Sequence, residues 1–257
     1  MATGTGFNFR EPAWYNELDS TNTRLRGDHA QNPLPAGTVC AAKTQTRGRG
    51  RMGNVWHSPP RGDLTFSFLW VGSKTLIELG SLPMAVALGV GDWLAGLGIE
   101  TRCKWPNDVM ANDGKLCGII TETSRQDSVV SVVVGVGVNL VDSPKRSAVA
   151  GRPVASVERE TGRAPGDPVM LLPNLLAALE SRIAIWESEG FAAIRRDLST
   201  RLWGIGRRVE VRDGDQRRCG TLVGLDEIGG LILAGGDGDF SVVSGIVGLE
   251  PDRHSLL

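Results

Sequence analysis

The sequence predicts an α+β chain, and three observations carry that expectation. Short runs with a period of two or rich in β-branched residues recur between residues 37 and 140. Two long apolar stretches repeat instead at three and four positions, the helical period. Beyond Trp203 only short strand-like runs remain, separated by glycine and aspartate turns. At 257 residues the chain can form one large domain with or without a small one. The change of texture puts the expected boundary near Leu202, giving residues 1–202 and residues 203–257.

GTVCAAKTQ (residues 37–45) reads as a short buried strand running into the loop TRGRGRMGNVW. In LTFSFLW (residues 64–70), Leu64, Phe66 and Phe68 alternate with Thr65 and Ser67, a strand period. Leu82, Val86, Val90, Trp93 and Leu97 then repeat at three and four, which predicts a buried amphipathic helix. Residues 101–123 read as strand, break at Pro106, strand, a hairpin turn at Asn112-Asp113-Gly114, and strand. SVVSVVVGVGVNL (residues 128–140) has the β-branched content of a central strand. A second helix is expected from Asp167, with Leu172, Leu175, Leu179, Ile183 and Trp186 on one face and Pro173 in its first turns. The segment after Trp203 predicts a small barrel or sandwich.

Composition narrows the function classes. With 28 basic and 29 acidic residues there is no global field to gather nucleic acid or an anionic membrane, so any anion must be held locally. Cys40, Cys103, Cys117 and Cys219 form no CxxC pair and His29, His57 and His254 are far apart, so no zinc or disulfide framework is expected. A reducing cytoplasm fits. No signal pattern opens the chain, and the longest apolar stretch carries Asp92 and several glycines, so no membrane span is expected.

Gly48 to Gly53 matches the dinucleotide pattern GxGxxG, but a strand follows where that fingerprint needs a helix. The same loop packs Arg47, Arg49 and Arg51 into five positions, interleaved with Gly48 and Gly50. Arginines are usually solvated surface charge. Flanking glycines, however, remove packing partners for the stems and let backbone N–H groups approach a ligand. Lys104 stands directly before Trp105 and Pro106, at a rigid corner, in a chain with only five lysines. Asn107 and Asp108 either form a turn or fix the lysine, a metal or a ribose. In DSTN (residues 19–22), Ser20 or Thr21 either caps a helix or offers a hydroxyl to a polar ligand head.

DSTN, QTRGRGRMGNVW, KWPNDV, GKLCGIITE and GVGVN, in this order between Trp14 and Leu140, make the chain resemble the biotin protein ligases, or biotin–[acetyl-CoA-carboxylase] ligases. The resemblance implies a class II aminoacyl-tRNA-synthetase-like catalytic domain, with a mixed, mainly antiparallel sheet packed by helices, and a small C-terminal Src-homology-like β-barrel. It implies a ligase that uses ATP and Mg2+ to activate biotin as biotinoyl-5′-AMP. The acyl group then passes to a lysine of a biotin carboxyl carrier protein domain, such as that of acetyl-CoA carboxylase.

By the same resemblance Lys104, Arg51 and Arg49 are the catalytic cations. Ser20, Thr21, Asn22, Gln45, Gly48 and Gly118 join them in holding biotin, and Arg51, Trp56, Asn107, Lys115 and Asn139 hold ATP or the adenylate. Metal ligands are left open. DSTN begins at Asp19, which on this reading leaves no room for the N-terminal DNA-binding domain of some relatives, so DNA is not an expected partner, and with no span expected neither is a membrane. Either a monomer or a homodimer is compatible. Two positions depart from the family pattern: Arg47, where a small or apolar residue is usual, and Asn54, where an arginine is usual. Arg47 is expected to restore the missing charge. A lipoate or octanoate ligase on the same scaffold and a non-catalytic biotin-binding module are the alternatives. A biotin carrier is excluded, because no lysine follows Lys145 to sit on a C-terminal hairpin.

Overall fold

The computed structural model describes residues 7–59, 62–126, 128–143, 146, 153–236 and 238–250. Seven strands form the first sheet: β1 (Ala13–Leu18), β2 (Val39–Gln45), β3 (Leu64–Gly72), β4 (Arg102–Lys104), β5 (Asp108–Ala111), β6 (Gly114–Gln126) and β7 (Val129–Val138). Their order is β1-β2-β3-β7-β6-β5-β4, with β1 and β2 parallel and the other neighbours antiparallel.

The valine run of β7 lies at the centre because both of its faces are covered. Val130, Val132, Val134, Val136 and Val138 point into the main core, while Val133 packs on the other side with Leu25, Cys40 and Leu69. That second side is covered by α1 (Thr21–Gln31). The hairpin between β5 and β6 turns at Asn112, whose φ of 49° suits an asparagine in a tight turn.

The main core side carries α2 (Leu76–Leu79), α3 (Leu82–Gly96), α4 (Val157–Thr161), α5 (Pro168–Glu189) and α6 (Phe191–Thr200). α3 crosses α5 at Gly89, where a Cβ would lie 2.9 Å from the Leu179 Cα, so only glycine allows the approach. Residues 76–96 and 168–189 are long and apolar enough to cross a membrane by length and composition alone. In the fold α3 is buried almost throughout, and α5 turns Leu172, Leu175, Leu179, Ile183 and Trp186 inward as the periodicity predicts. Pro173 falls at the sixth position of α5, near the helix start as expected, although past the first turn, where a missing N–H costs nothing.

The segment after Trp203 forms a separate antiparallel sheet from β8 (Arg208–Asp213), β9 (Gln216–Leu225), β10 (Leu231–Gly235), β11 (Gly238–Val242) and β12 (Ile246–Leu249), in the order β11-β10-β9-β8-β12. The two sheets share one hydrophobic core, which includes Val209, Val211, Leu222 and Leu233 of the second. Trp203 N donates to Cys103 O at 3.0 Å. Trp105 Nε1 donates to Gly229 O at 2.9 Å. The corner after β4 is thus clamped between the sheets.

Candidate functional site

Two adjoining cavities open over the face of the first sheet that carries α1. The inner pocket is floored by Gly118 of β6 and by Gly135 and Gly137 of β7, and is walled by the start of α1, the end of β2 and the loop that follows. Ser20 caps α1 in an extended conformation, its hydroxyl accepting from Thr23 N. It also lines the pocket, so the two roles posed for DSTN coexist. Thr21 N donates to Gln45 Oε1 at 2.8 Å, which ties the helix start to the end of β2. Ser20, Thr21 and Asn22 are all buried.

The arginine loop is a small hairpin. Arg49 bridges Val55, Gly50 N donates to Asn54 O at 2.7 Å, and Arg51–Gly53 makes one 3₁₀ turn with Met52 in the left-handed region. No longer helix opens here, as the sequence indicated. Gly48 lines neither cavity. A Cβ there would lie 2.6 Å from Trp56 O, so this glycine permits the hairpin to close on itself.

Trp56 lies across the glycine floor. A Cβ at Gly137 would come within 2.5 Å of its indole carbons, and one at Gly118 within 3.0 Å. The indole Nε1 is buried with no hydrogen-bond partner among the described residues.

The cations divide between the cavities. Arg49 Nη2 donates to Thr23 Oγ1 at 3.0 Å and pairs with Glu122 Oε1 at 3.0 Å, so it closes the inner pocket and is not brought to Lys104. Arg51 lines both cavities and donates to Asn107 Oδ1 at 2.8 Å, while Asn107 Nδ2 donates to Ile119 O at 2.6 Å. Burial pulls the Arg51 pKa below its usual value, and the charges of Asp108 and Asp213 oppose that pull. Lys115 also lines both cavities and pairs with Asp108 at 2.5 Å.

Lys104 lines the outer cavity only, with its ammonium 4.6 Å from the centre of the Trp203 ring. This outer cavity has a volume of about 530 Å³, within the range of small-ligand sites. Asn139 lines it as well, with Nδ2 donating to Lys115 O and Ala155 O and its buried Oδ1 unpaired among the described residues. Gly245, Ile246 and Val247 of the second sheet complete its wall.

Arg47 and Asn54 are placed differently. Asn54 lines the outer cavity. Arg47 is 81% exposed in its side chain, pairs with Asp19 at 3.6 Å and lines neither cavity, so it does not replace a cation at Asn54.

Sequence reasoning gave no role to Gly135, Gly137 and Glu122, although they stand in the GVGVN and GKLCGIITE motifs, and it missed Ser67 and the segment 245–247. The glycines carried a signal, since Gly135 and Gly137 are two apart and so share one face of a strand. The long-range contacts of residues 245–247 leave none.

A model of the biotin/lipoate A/B protein ligase family matches residues 14–139. The biotin–[acetyl-CoA-carboxylase] ligase of Paracoccus denitrificans is 35% identical over 200 residues, covering 76% of this chain and 82% of that protein. The ligase of the same name from Mycobacterium tuberculosis is 33% identical over 236 residues, covering 90% and 85%. The structure of the biotin protein ligase from Aquifex aeolicus in complex with biotin and ATP superposes with a TM-score of 0.78 at 25% identity, covering 94% of this chain and 99% of that one. By sequence and by fold together, the chain belongs to the biotin/lipoate A/B protein ligase family, in its biotin protein ligase branch.

Proposed function

We propose that this chain activates biotin with ATP and transfers it to a lysine of a biotin carboxyl carrier protein domain. One observation carries the proposal: a small pocket headed by hydroxyls and amides adjoins a larger cavity lined by cations, and Arg51, Trp56, Asn107 and Lys115 line both. A ligand with a polar head and an anionic tail fits across that seam.

In the first step a carboxylate oxygen of biotin attacks the α-phosphorus of ATP, pyrophosphate leaves and biotinoyl-5′-AMP forms. Both reactants are anions. Fixed cations therefore offset their repulsion, and their value grows as charge develops in the transition state. Ser20, Thr21, Asn22 and Gln45 hold the ureido head, and Arg49 closes the pocket over it. Arg51, oriented by Asn107, and Lys104 meet the carboxylate and the α-phosphate. Lys115 and Asn139 serve the nucleotide side, and Trp56 shields the reactive acyl bond from water. In the second step the carrier lysine amine attacks the acyl carbon, AMP leaves with the bonding electrons, and the amine loses a proton.

Among the described residues no three His, Cys, Asp or Glu side chains cluster as a metal cage. Magnesium needs none, because it binds through one or two carboxylates together with substrate phosphates. Asp108, in the cavity wall, is the carboxylate that would hold it, and the ion would supply further neutralisation of phosphate charge. Residues 1–202 serve as the class II aminoacyl-tRNA-synthetase-like catalytic domain. Residues 203–257 serve as the Src-homology-like barrel, which walls the nucleotide through residues 245–247.

Incubation with ATP, magnesium, a carrier domain and biotin, with lipoate and octanoate in parallel reactions, read by intact mass, tests the proposal. One biotinoyl group on one carrier lysine is expected. Transfer of lipoate or octanoate with none of biotin would overturn it.

A further inference from the structure

Ser67 lies on β3 beneath the head of the inner pocket and is fully buried. Its Oγ is 2.7 Å from Thr21 Oγ1 and 2.6 Å from Asn22 Oδ1, and Thr21 Oγ1 is 3.2 Å from Gln45 Oε1. Each hydroxyl has one proton to give. The two short links require two protons, so Thr21 donates to Ser67 and Ser67 donates to Asn22, which leaves the longer approach to Gln45 as the weak one. The opposite arrangement would have the Asn22 amide donate to Ser67. The amide atom that stands at the Ser67 hydroxyl is Oδ1, which can only accept, so the proton between them is the one Ser67 gives.

The direction has a consequence at the pocket. With Oδ1 engaged by Ser67, Asn22 keeps Nδ2 buried and without a hydrogen-bond partner among the described residues. Gln45 behaves alike, since Thr21 N fixes its Oε1 and leaves Nε2 as the other end of the amide. Gly135 makes room for this arrangement, because a Cβ there would lie 2.2 Å from Asn22 Oδ1. A buried, unpaired N–H in a pocket wall is costly until a ligand oxygen meets it.

We infer that Ser67 is a positioning residue for substrate specificity: by donating to Asn22 Oδ1 it presents Asn22 Nδ2 as a donor, selecting a ligand whose head group carries a hydrogen-bond-accepting carbonyl oxygen. This rests on the proposed function, in which that oxygen is the ureido oxygen of biotin.

The test compares binding of biotin and of 2-iminobiotin, whose guanidinium is protonated at neutral pH and offers no acceptor there. Calorimetric titration of the full chain is expected to show strong preference for biotin. In Ser67→Ala the Asn22 amide is free to turn, and the preference should shrink by about tenfold, the worth of one neutral hydrogen bond. A packing role alone would weaken both ligands equally, so an unchanged ratio in a variant that still binds biotin overturns the inference while leaving the ligase proposal standing. Asn22→Asp is a second route if Ser67→Ala does not fold. It puts an acceptor where the donor stood and should move preference toward 2-iminobiotin, and an unmoved ratio overturns the inference equally. Wild-type protein that binds neither ligand would overturn the proposed function and this inference with it.

Discussion

Gly137→Ala tests whether the glycine floor is there for Trp56 and the ligand. The new Cβ would stand 2.5 Å from both Cε2 and Cζ2 of the indole. Carbon pairs rest at about 3.5–4.0 Å, so the ring must move by about 1 Å or more. A rigid core would resist at a cost of about 1–3 kcal/mol. Here the ring belongs to a loop whose neighbours Met52 and Val55 are exposed, so the strain is relieved by displacement and the cost stays near the low end. The Tm should therefore fall by about 2–4 °C. Biotin binding should suffer more, because the displaced indole lines the pocket, and its Kd should rise at least about tenfold, or about 1.4 kcal/mol. Thermal melts and calorimetric titration read the two effects separately. Gly224→Ala, whose Cβ would meet nothing within 4 Å, is the control. Biotin affinity equal to that of the parent protein would refute the reasoning.

Other outcomes follow from the same geometry. Arg47→Ala should leave the KM for ATP within about twofold, because its partner is Asp19 and an exposed pair contributes about 1 kcal/mol or less; a large rise would restore the compensating role expected from sequence. Asn54→Arg adds a cation to the outer cavity wall and should lower the KM for ATP, an effect that shrinks with added salt. Glu122→Gln removes the charge that holds Arg49 and should raise the KM for biotin with less effect on that for ATP, read from steady-state kinetics.

Asp63 supplies a pH prediction. Burial raises its pKa from 3.8 to about 6, with Arg146 and the Leu140 backbone pulling the other way. A carboxyl raised in the folded state favours folding while it is protonated. That contribution is complete below pH 3.8 and is lost as pH climbs through about 6. Asp63→Asn should therefore flatten the dependence of Tm on pH across that window, and a parallel curve would contradict it.

The elements legible in the sequence were those whose signal is local. The alternation at Leu64, Phe66 and Phe68 and the Asn112-Asp113-Gly114 turn were such signals, and β3 and the β5–β6 hairpin formed there. α3 and α5 formed where their spacing of three and four placed them. β1 and α6 were not read. β1 mixes half-buried and exposed residues with no period of two and no clear apolar face. α6 follows Gly190 so closely that one residue separates it from α5.

In the candidate site, the loop and KWPND motifs marked the region, but the division of labour was hidden. Nothing local says that Arg49 faces α1 and β6 while Arg51 faces Asn107. Nor does a serine inside a strand pattern announce the buried links of Ser67. Such partners are fixed by the register of β3 against β2 and β7, which only the folded sheet defines.

The most direct test of the central claim is exchange of labelled pyrophosphate into ATP with biotin, with lipoate as the parallel acid and Lys104→Ala as the control. The account predicts exchange with biotin alone, lost in the variant while biotin still binds, since Lys104 lines the outer cavity and not the inner pocket. Absence of exchange in protein that binds biotin would contradict it and leave a binding module on a ligase scaffold.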